Sequence, residues 1–220
     1  MSYLNIRARF FTSILVVLLF QFSVPSFAQR DLGVGEVNVR RGVIPVVVRS
    51  QDSQALGILK SAFSAHGRYR VAASMQEASF AIHVDPIGST YSSLKIFSGI
   101  PEQMQYNTQV QGESRRNSIL KAIDLAIRKT SGMQGFFSGK IAYVGKTGKA
   151  MEIYYRDFLF GEGKRLTNHG VEAVRPRWSP DGNYVVYTSY LSGFPNIRRI
   201  DLRGQRSGVF VSFKGTNTSA

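Results

Sequence analysis

Three textures of apolar and polar positions follow one another along the chain. The first runs from Phe10 to Gln29 without a charge, is dominated by Ile, Leu, Val and Phe, and is preceded by Arg7 and Arg9. Its most apolar part, Phe10 to Leu19, is about half of the ~20 residues a membrane-spanning helix needs, and Pro25 interrupts it just before Ser26-Phe27-Ala28. A basic start, a short apolar core and small residues at the −3 and −1 positions describe a signal peptide over residues 1–28. Cleavage is expected between Ala28 and Gln29, leaving no transmembrane segment.

The second texture alternates strand-like and helix-like segments. A polar, glycine-containing stretch leads into Glu36-Val37-Asn38-Val39-Arg40, where apolar and polar residues alternate, as in a short edge strand or an extended arm. Gly42-Val43-Ile44-Pro45-Val46-Val47-Val48 is a continuous β-branched run, the pattern of a strand buried on both faces. Asp52 or Ser53 can cap a following helix, in which Ala55, Leu56, Leu59, Ala62 and Phe63 recur at helical spacing before Gly67 ends it. Further strands are expected at Tyr69 to Ala72, Phe80 to Val84, Tyr91 to Phe97 and Met104 to Gln111. Asp85-Pro86-Ile87-Gly88 and Gly99-Ile100-Pro101 supply turn chemistry between them. A second helix, Ser114 to Thr130, places Ile119, Ile123, Ala126 and Ile127 on one face and stops at Gly132. This order predicts a small α/β domain over residues 29–132, two helices on a mixed sheet.

After Gly132 the helical period disappears, and short apolar runs are separated by Gly, Asn, Asp and Pro. An offset of 44 residues brings Ile141-Ala142-Tyr143-Val144 onto Val185-Val186-Tyr187-Thr188, Ile153 onto Ile197, and Asp157-Phe158 onto Asp201-Leu202. Short strands repeating every ~40–45 residues are the mark of propeller blades. The fold class expected is therefore α+β, with residues 133–220 forming the first repeats of an incomplete propeller, since closed rings use ~4–8 blades. Within the second repeat, Trp178-Ser179-Pro180-Asp181-Gly182 suits a tight reversal into the strand Tyr184 to Ser189, with Trp178 packed between blades. Phe136 and Phe137 are expected to be buried in the linker between domain and repeats.

Composition narrows the function classes. With no cysteine, an exported chain has neither disulfides nor thiolate chemistry and must be held by its cores. Of the formal charge of +14, +2 lies in the signal peptide, +5 in residues 29–132 and +7 beyond. Its densest points are pairs such as Arg115-Arg116 and Arg198-Arg199, not the clustered basic stripe of a nucleic-acid binder. The three histidines, His66, His83 and His169, have no metal-ligand spacing. Gly145-Lys146-Thr147 lacks the upstream glycine of a phosphate loop, and Gly135-Phe136-Phe137-Ser138-Gly139 has phenylalanine where a nucleophile elbow needs serine. No enzymatic activity, cofactor or nucleic-acid partner is expected.

The strand Gly42-Val43-Ile44-Pro45, the junction Ser131-Gly132-Met133-Gln134-Gly135-Phe136-Phe137 running into Lys140-Ile141-Ala142-Tyr143-Val144, and Arg175-Pro176-Arg177-Trp178-Ser179-Pro180-Asp181-Gly182 with Asp201-Leu202 together resemble the TolB family of the Tol-Pal envelope system. The resemblance implies a periplasmic scaffold that maintains outer-membrane integrity and envelope constriction at division. Its implied partners are the outer-membrane lipoprotein Pal, bound through the propeller, and the inner-membrane protein TolA, bound through the mature N-terminal segment. Glu36, Val37, Asn38 and Val39 match that partner-binding arm. Propellers of exported peptidases also use Ser-Pro-Asp-Gly, so a regulatory or ligand-binding propeller of a peptidase or sensor is the alternative.

Overall fold

The computed structural model describes residues 42–203 and 206–218. The signal peptide with its Ala28–Gln29 junction and the arm Glu36 to Val39 lie outside the described residues. Arg41–Ala220 cluster as one compact unit.

Strand β1 (Ile44–Arg49) has parallel neighbours on both sides, β2 (Tyr69–Val71) and β3 (Phe80–Ile87). Val46, Val47 and Val48 are consequently all buried, which explains a run with no polar alternation. Two antiparallel strands, β4 (Tyr91–Ser98) and β5 (Gln103–Gln111), complete a mixed sheet of order β2-β1-β3-β4-β5. Helices α1 (Ser53–Ala65) and α2 (Arg115–Ser131) cover one face and lay Leu59, Phe63, Ile119, Ile123 and Ile127 into the principal core with Ile82, Leu94 and Ile96. Each helix starts on a side-chain cap: Asp52 accepts from the Ala55 amide at 2.7 Å, and Ser114 from the Asn117 amide at 3.1 Å. Among the described residues no helix is long and apolar enough to cross a membrane.

Two local expectations fail here. Helix α1 ends at His66, which turns to an extended conformation while its N–H still bonds Ala62 O at 3.0 Å, so Gly67 is not the cap. The segment Asp85-Pro86-Ile87 is not a turn but the end of β3, and the reversal starts at Gly88. The tolerance of Pro86 follows from the ladders. Gly112 N donates to Thr90 O at 2.7 Å, so by alternation Ser92 turns its backbone groups toward β5 and its partner Pro86 makes no ladder bond to β4. The nitrogen of Pro86 faces the β1 side, where pairing has already ended at Arg49↔His83.

Beyond α2 the chain forms two all-antiparallel sheets. The first contains β6 (Lys140–Thr147), β7 (Ala150–Asp157) and β8 (Gly163–Arg165). The second contains β9 (Ala173–Trp178), β10 (Tyr184–Ser189), β11 (Asn196–Asp201) and β12 (Ser207–Val211) in the order β12-β11-β10-β9. The 44-residue offset carries β6, β7 and β8 onto β10, β11 and β12. Strand β9 has no counterpart, because residues 129–134 hold the end of α2. The repeat extends to hydrogen bonds: Asp157 N donates to Glu162 O at 2.9 Å, and Asp201 N to Arg206 O at 2.9 Å. The fold is thus α+β, an N-terminal mixed-sheet domain followed by propeller-like repeats.

Candidate functional site

The most distinctive turn of the repeats lies between β9 and β10. Pro180 sets the first corner, and Gly182, at φ +69°, provides a left-handed corner that a side chain rarely adopts. The turn closes through Gly182 N to Ser179 O at 2.9 Å and Ser179 N to Tyr184 O at 2.9 Å. Ser179 Oγ donates to Asp181 Oδ1 at 2.6 Å and accepts from Tyr184 N at 3.1 Å. Asn183 donates to Asp181 through its side chain at 2.6 Å and its backbone at 3.1 Å. These bonds, that from Ser179 foremost, lower the Asp181 carboxyl to about 2. All its partners belong to the turn itself, so this carboxylate shapes the chain.

Trp178, at the end of β9, packs against a second core formed by Ile153 of the first sheet with Ala173, Val185, Tyr187 and Ile200 of the second. Its ring meets Tyr155 of β7 edge-on at 6.2 Å, and its indole N–H is buried without a partner. Strand β9 packs on β6 and β7, so the two sheets meet through this shared core. Beside it, the fully buried Glu152 accepts from Arg165 at 3.0 Å, from the amides of His169 and Gly170 at 2.8 and 2.9 Å, and from the Thr167 hydroxyl. Burial pushes its carboxyl up, but the Thr167, Gly170 and Arg165 bonds outweigh that and hold it below the usual glutamate value.

A third cluster joins the mixed-sheet domain to the first repeat. Asp124, on α2, accepts from the Phe137 and Ser138 amides, both at 2.8 Å, and so pins the linker along the helix. Gly135 makes this approach possible, because a Cβ there would lie 2.4 Å from the Asp124 Cα. Phe137 is 2% exposed and belongs to the principal core. Phe136, in contrast to the expected burial, is 44% exposed: it lies across His66, ring centroids 5.5 Å apart, and meets Phe158 edge-on. The adjoining Phe137 fills the core position, which leaves Phe136 on the outer side of the linker. Burial lowers the basicity of His66, whose Nε2 is enclosed without a hydrogen-bond partner.

The polar side of this seam is built on Asp157, the last residue of β7. It accepts from Arg116 of α2 at 2.7 and 3.3 Å and from the amides of Leu159, Gly161 and Glu162 at 2.9, 3.1 and 2.6 Å. Two further bridges cross the seam: Ser114 Oγ donates to Glu162 at 2.7 Å, and Lys140 Nζ to Glu113 at 2.7 Å. Between them lies an open cleft of about 590 Å³ bounded by Asn117, Lys140, Tyr155 and Lys164. Its carboxylates Glu113, Asp157 and Glu162 are already engaged with cations or hydroxyls, so the cleft has the chemistry of a joint between domains. Among the described residues no group of three His, Asp or Glu converges as a metal site. The histidines are dispersed: His66 stacks on the linker, His83 shares a 3.2 Å contact with Arg49, and His169 bonds Tyr187 at 2.9 Å.

Of the residues singled out from sequence, Trp178 to Gly182 are brought together in one turn beside the contact between repeats. Sequence reasoning missed Arg116, Asp124 and Glu152. For Asp157 a signal existed, since the 44-residue offset lays it on Asp201, whose carboxylate likewise accepts an amide two residues ahead, Arg203 N at 2.8 Å.

Fold and seam define a class: an α+β domain joined by a tight linker to propeller-like repeats. No protein-family profile matches the chain. It is similar to the Tol-Pal system protein TolB of Desulfotalea psychrophila, 28% identical over 133 residues, which are 53% of this chain and 30% of that protein. The Tol-Pal system protein TolB of Roseobacter denitrificans is 27% identical over 142 residues, 62% and 32% of the two chains. That of Chromobacterium violaceum is 32% identical over 106 residues, 47% and 24%. The crystal structure of TolB from Acinetobacter baumannii shares the fold with a TM-score of 0.67 at 18% identity, over 79% of this chain and 50% of that one. The chain is a relative of the TolB family. It spans about a third or less of the length of these curated relatives.

Proposed function

We propose that this chain is a non-enzymatic, periplasmic scaffold of a Tol-Pal-type system. In this reading residues 1–28 are removed on export, 29–132 form the mixed-sheet domain, and 133–220 contribute propeller repeats. Glu36, Val37, Asn38 and Val39 act as an arm toward a TolA-like inner-membrane protein, and the propeller side faces a Pal-like outer-membrane lipoprotein. The observation that carries the reading is the joint at Asp124, Arg116 and Asp157, which couples a TolB-like domain to TolB-like repeats. Carboxylates held by helix and turn partners leave the seam as a mechanical element, suited to joining two binding surfaces. The second repeat also presents Phe194, Val209, Phe210 and Phe213, each more than half exposed, as apolar contact area.

The test uses the chain produced with its own leader and recovered from the cell envelope. Mass spectrometry is expected to find Gln29 as the first residue. Deleting residues 29–39 should abolish capture by the TolA-like protein of the same organism while leaving the unfolding transition in place. Intact Met1-containing chain, or capture unaffected by the deletion, refutes the corresponding part of the proposal.

A further inference from the structure

We propose that the free edge of β5 is a self-association site, at which a second copy of this chain adds antiparallel and extends the mixed sheet across a two-fold axis. Strand β5 ends the sheet order, so one side of it has no strand partner among the described residues. An unpaired edge is a template for another strand, and folded proteins ordinarily guard it with charge, proline or brevity. Four of the other five edges among the described residues are guarded. Strand β2 has three residues and carries Arg70, β8 has three with Lys164 and Arg165, and β6 carries Lys140 and Lys146. Strand β9 contains Arg175, Pro176 and Arg177; β12 is uncharged as well but has five residues against the nine of β5. Strand β5, Gln-Met-Gln-Tyr-Asn-Thr-Gln-Val-Gln, has nine residues and neither charge nor proline.

The ladder shows which atoms are offered. Gly112 N bonds Thr90 O, and the register Tyr91↔Gln111 to Ile96↔Tyr106 is unbroken. By alternation Val110, Thr108 and Tyr106 turn their backbone groups toward β4, while Gln111, Gln109 and Asn107 turn theirs outward. Side chains divide the same way. Tyr106 and Val110 pack toward the principal core, and Asn107, Gln109 and Gln111 are exposed on the opposite face. A register shift at Ile96/Phe97 marks Gln105 as a bulge, which ends the regular edge on one side as Gly112 does on the other.

The sequence of this window fits its own copy. Antiparallel pairing about Gln109 sets Gln109 against Gln109, Asn107 against Gln111, and Thr108 against Val110. One face then carries amides opposed to amides, and the other a β-branched pair. Charge permits this occupant at β5. Without the +2 of residues 1–28 a copy still carries +12 and is repelled over most of its surface, and β5 is the longest uncharged strand on which two copies can approach.

Sedimentation velocity of the envelope-recovered chain at up to ~0.1 mM, a range suited to a small interface, tests this. The wild type is expected to show a reversible dimer. At the two-fold, Gln109→Lys opposes two lysines and Gln109→Glu two glutamates, and each should weaken the dimer roughly fivefold. An equimolar mixture of the two variants should restore it. Gln109→Pro removes an outward N–H that makes no bond within the sheet, so it should abolish the dimer with the unfolding transition retained. A monomeric wild type overturns the proposal. So does association that all three variants share with the wild type, that the mixture fails to restore, or that is lost instead with Phe213→Ser in the second repeat.

Discussion

The pair Arg116–Asp157 is the sharpest place to test how the two parts of the chain are joined. Asp157 is 7% exposed and holds a guanidinium from α2 together with three amides of its own turn. Asp157→Asn keeps the shape but turns an NH2 toward donors that need an acceptor. Removing one partner of a nearly buried pair costs about 3–5 kcal/mol, because the other charge stays enclosed and unpaired. Arg116 keeps some solvent, with its side chain 22% exposed, so the lower end, about 3 kcal/mol, is expected. For a chain of this size that is a fall in Tm of roughly 6–12 °C. Arg116→Ala leaves the three amides on Asp157 and should cost less, about 1.5–3 kcal/mol. The double variant should be milder than the sum of the two.

The same carboxylate predicts an acid dependence of definite sign. Burial pushes it up, but the Arg116 bond and the Gly161 and Glu162 amides win and set it below the ordinary 3.8. A group whose pKa is lower when folded contributes stability above its unfolded pKa and loses that contribution as pH falls through the folded value. Urea unfolding followed by circular dichroism should therefore show the gap between wild type and Asp157→Asn at pH 7, narrowing only below about pH 4. A gap under about 0.5 kcal/mol at pH 7 is the size of an ordinary surface change and would refute the seam as described, as would a gap independent of pH.

Other outcomes follow from the same geometry. Trp178→Ala should destabilise by about 3 kcal/mol in urea unfolding, the lower end for a large aromatic because the side chain is only partly buried; a change under about 1 kcal/mol would contradict its packing on Tyr155. Gly182→Val forces a β-branched residue to φ +69°, at a cost of roughly 1–2 kcal/mol or more, and Gly182→Asn should recover part of it. The Asp181 carboxyl should titrate at about 2 by NMR, and Ser179→Ala should move it toward the ordinary 3.8. Glu152→Ala takes away the buried acceptor shared by Thr167, the His169 and Gly170 amides and Arg165, which keeps Thr167 O and Asn168, and should cost about 1–3 kcal/mol, whereas a Tm close to that of the wild type would show that this network is not structural.

What the chain alone determined is what depends on near neighbours. Caps at Asp52 and Ser114 act on amides three residues ahead, and the Ser179 to Gly182 turn satisfies itself within six residues. The apolar run in β1 and the 44-residue offset are likewise properties of order along the chain, so sheet, helices and repeats were legible before any coordinate. The tertiary structure decided whatever needed partners distant in sequence. Pro86 continues a strand because β1 stops beside it, which local turn propensity cannot register. Phe136 stays outside and Phe137 goes in because α2 and Asp124 fix the face of the linker. Arg116 and Asp157, 41 positions apart, meet only because α2 packs against the first repeat, and nothing near either residue marks the pairing. The place of β5 at the end of the described sheet is decided the same way: a strand's neighbours are set by the sheet order, and that order exists only once the chain has folded.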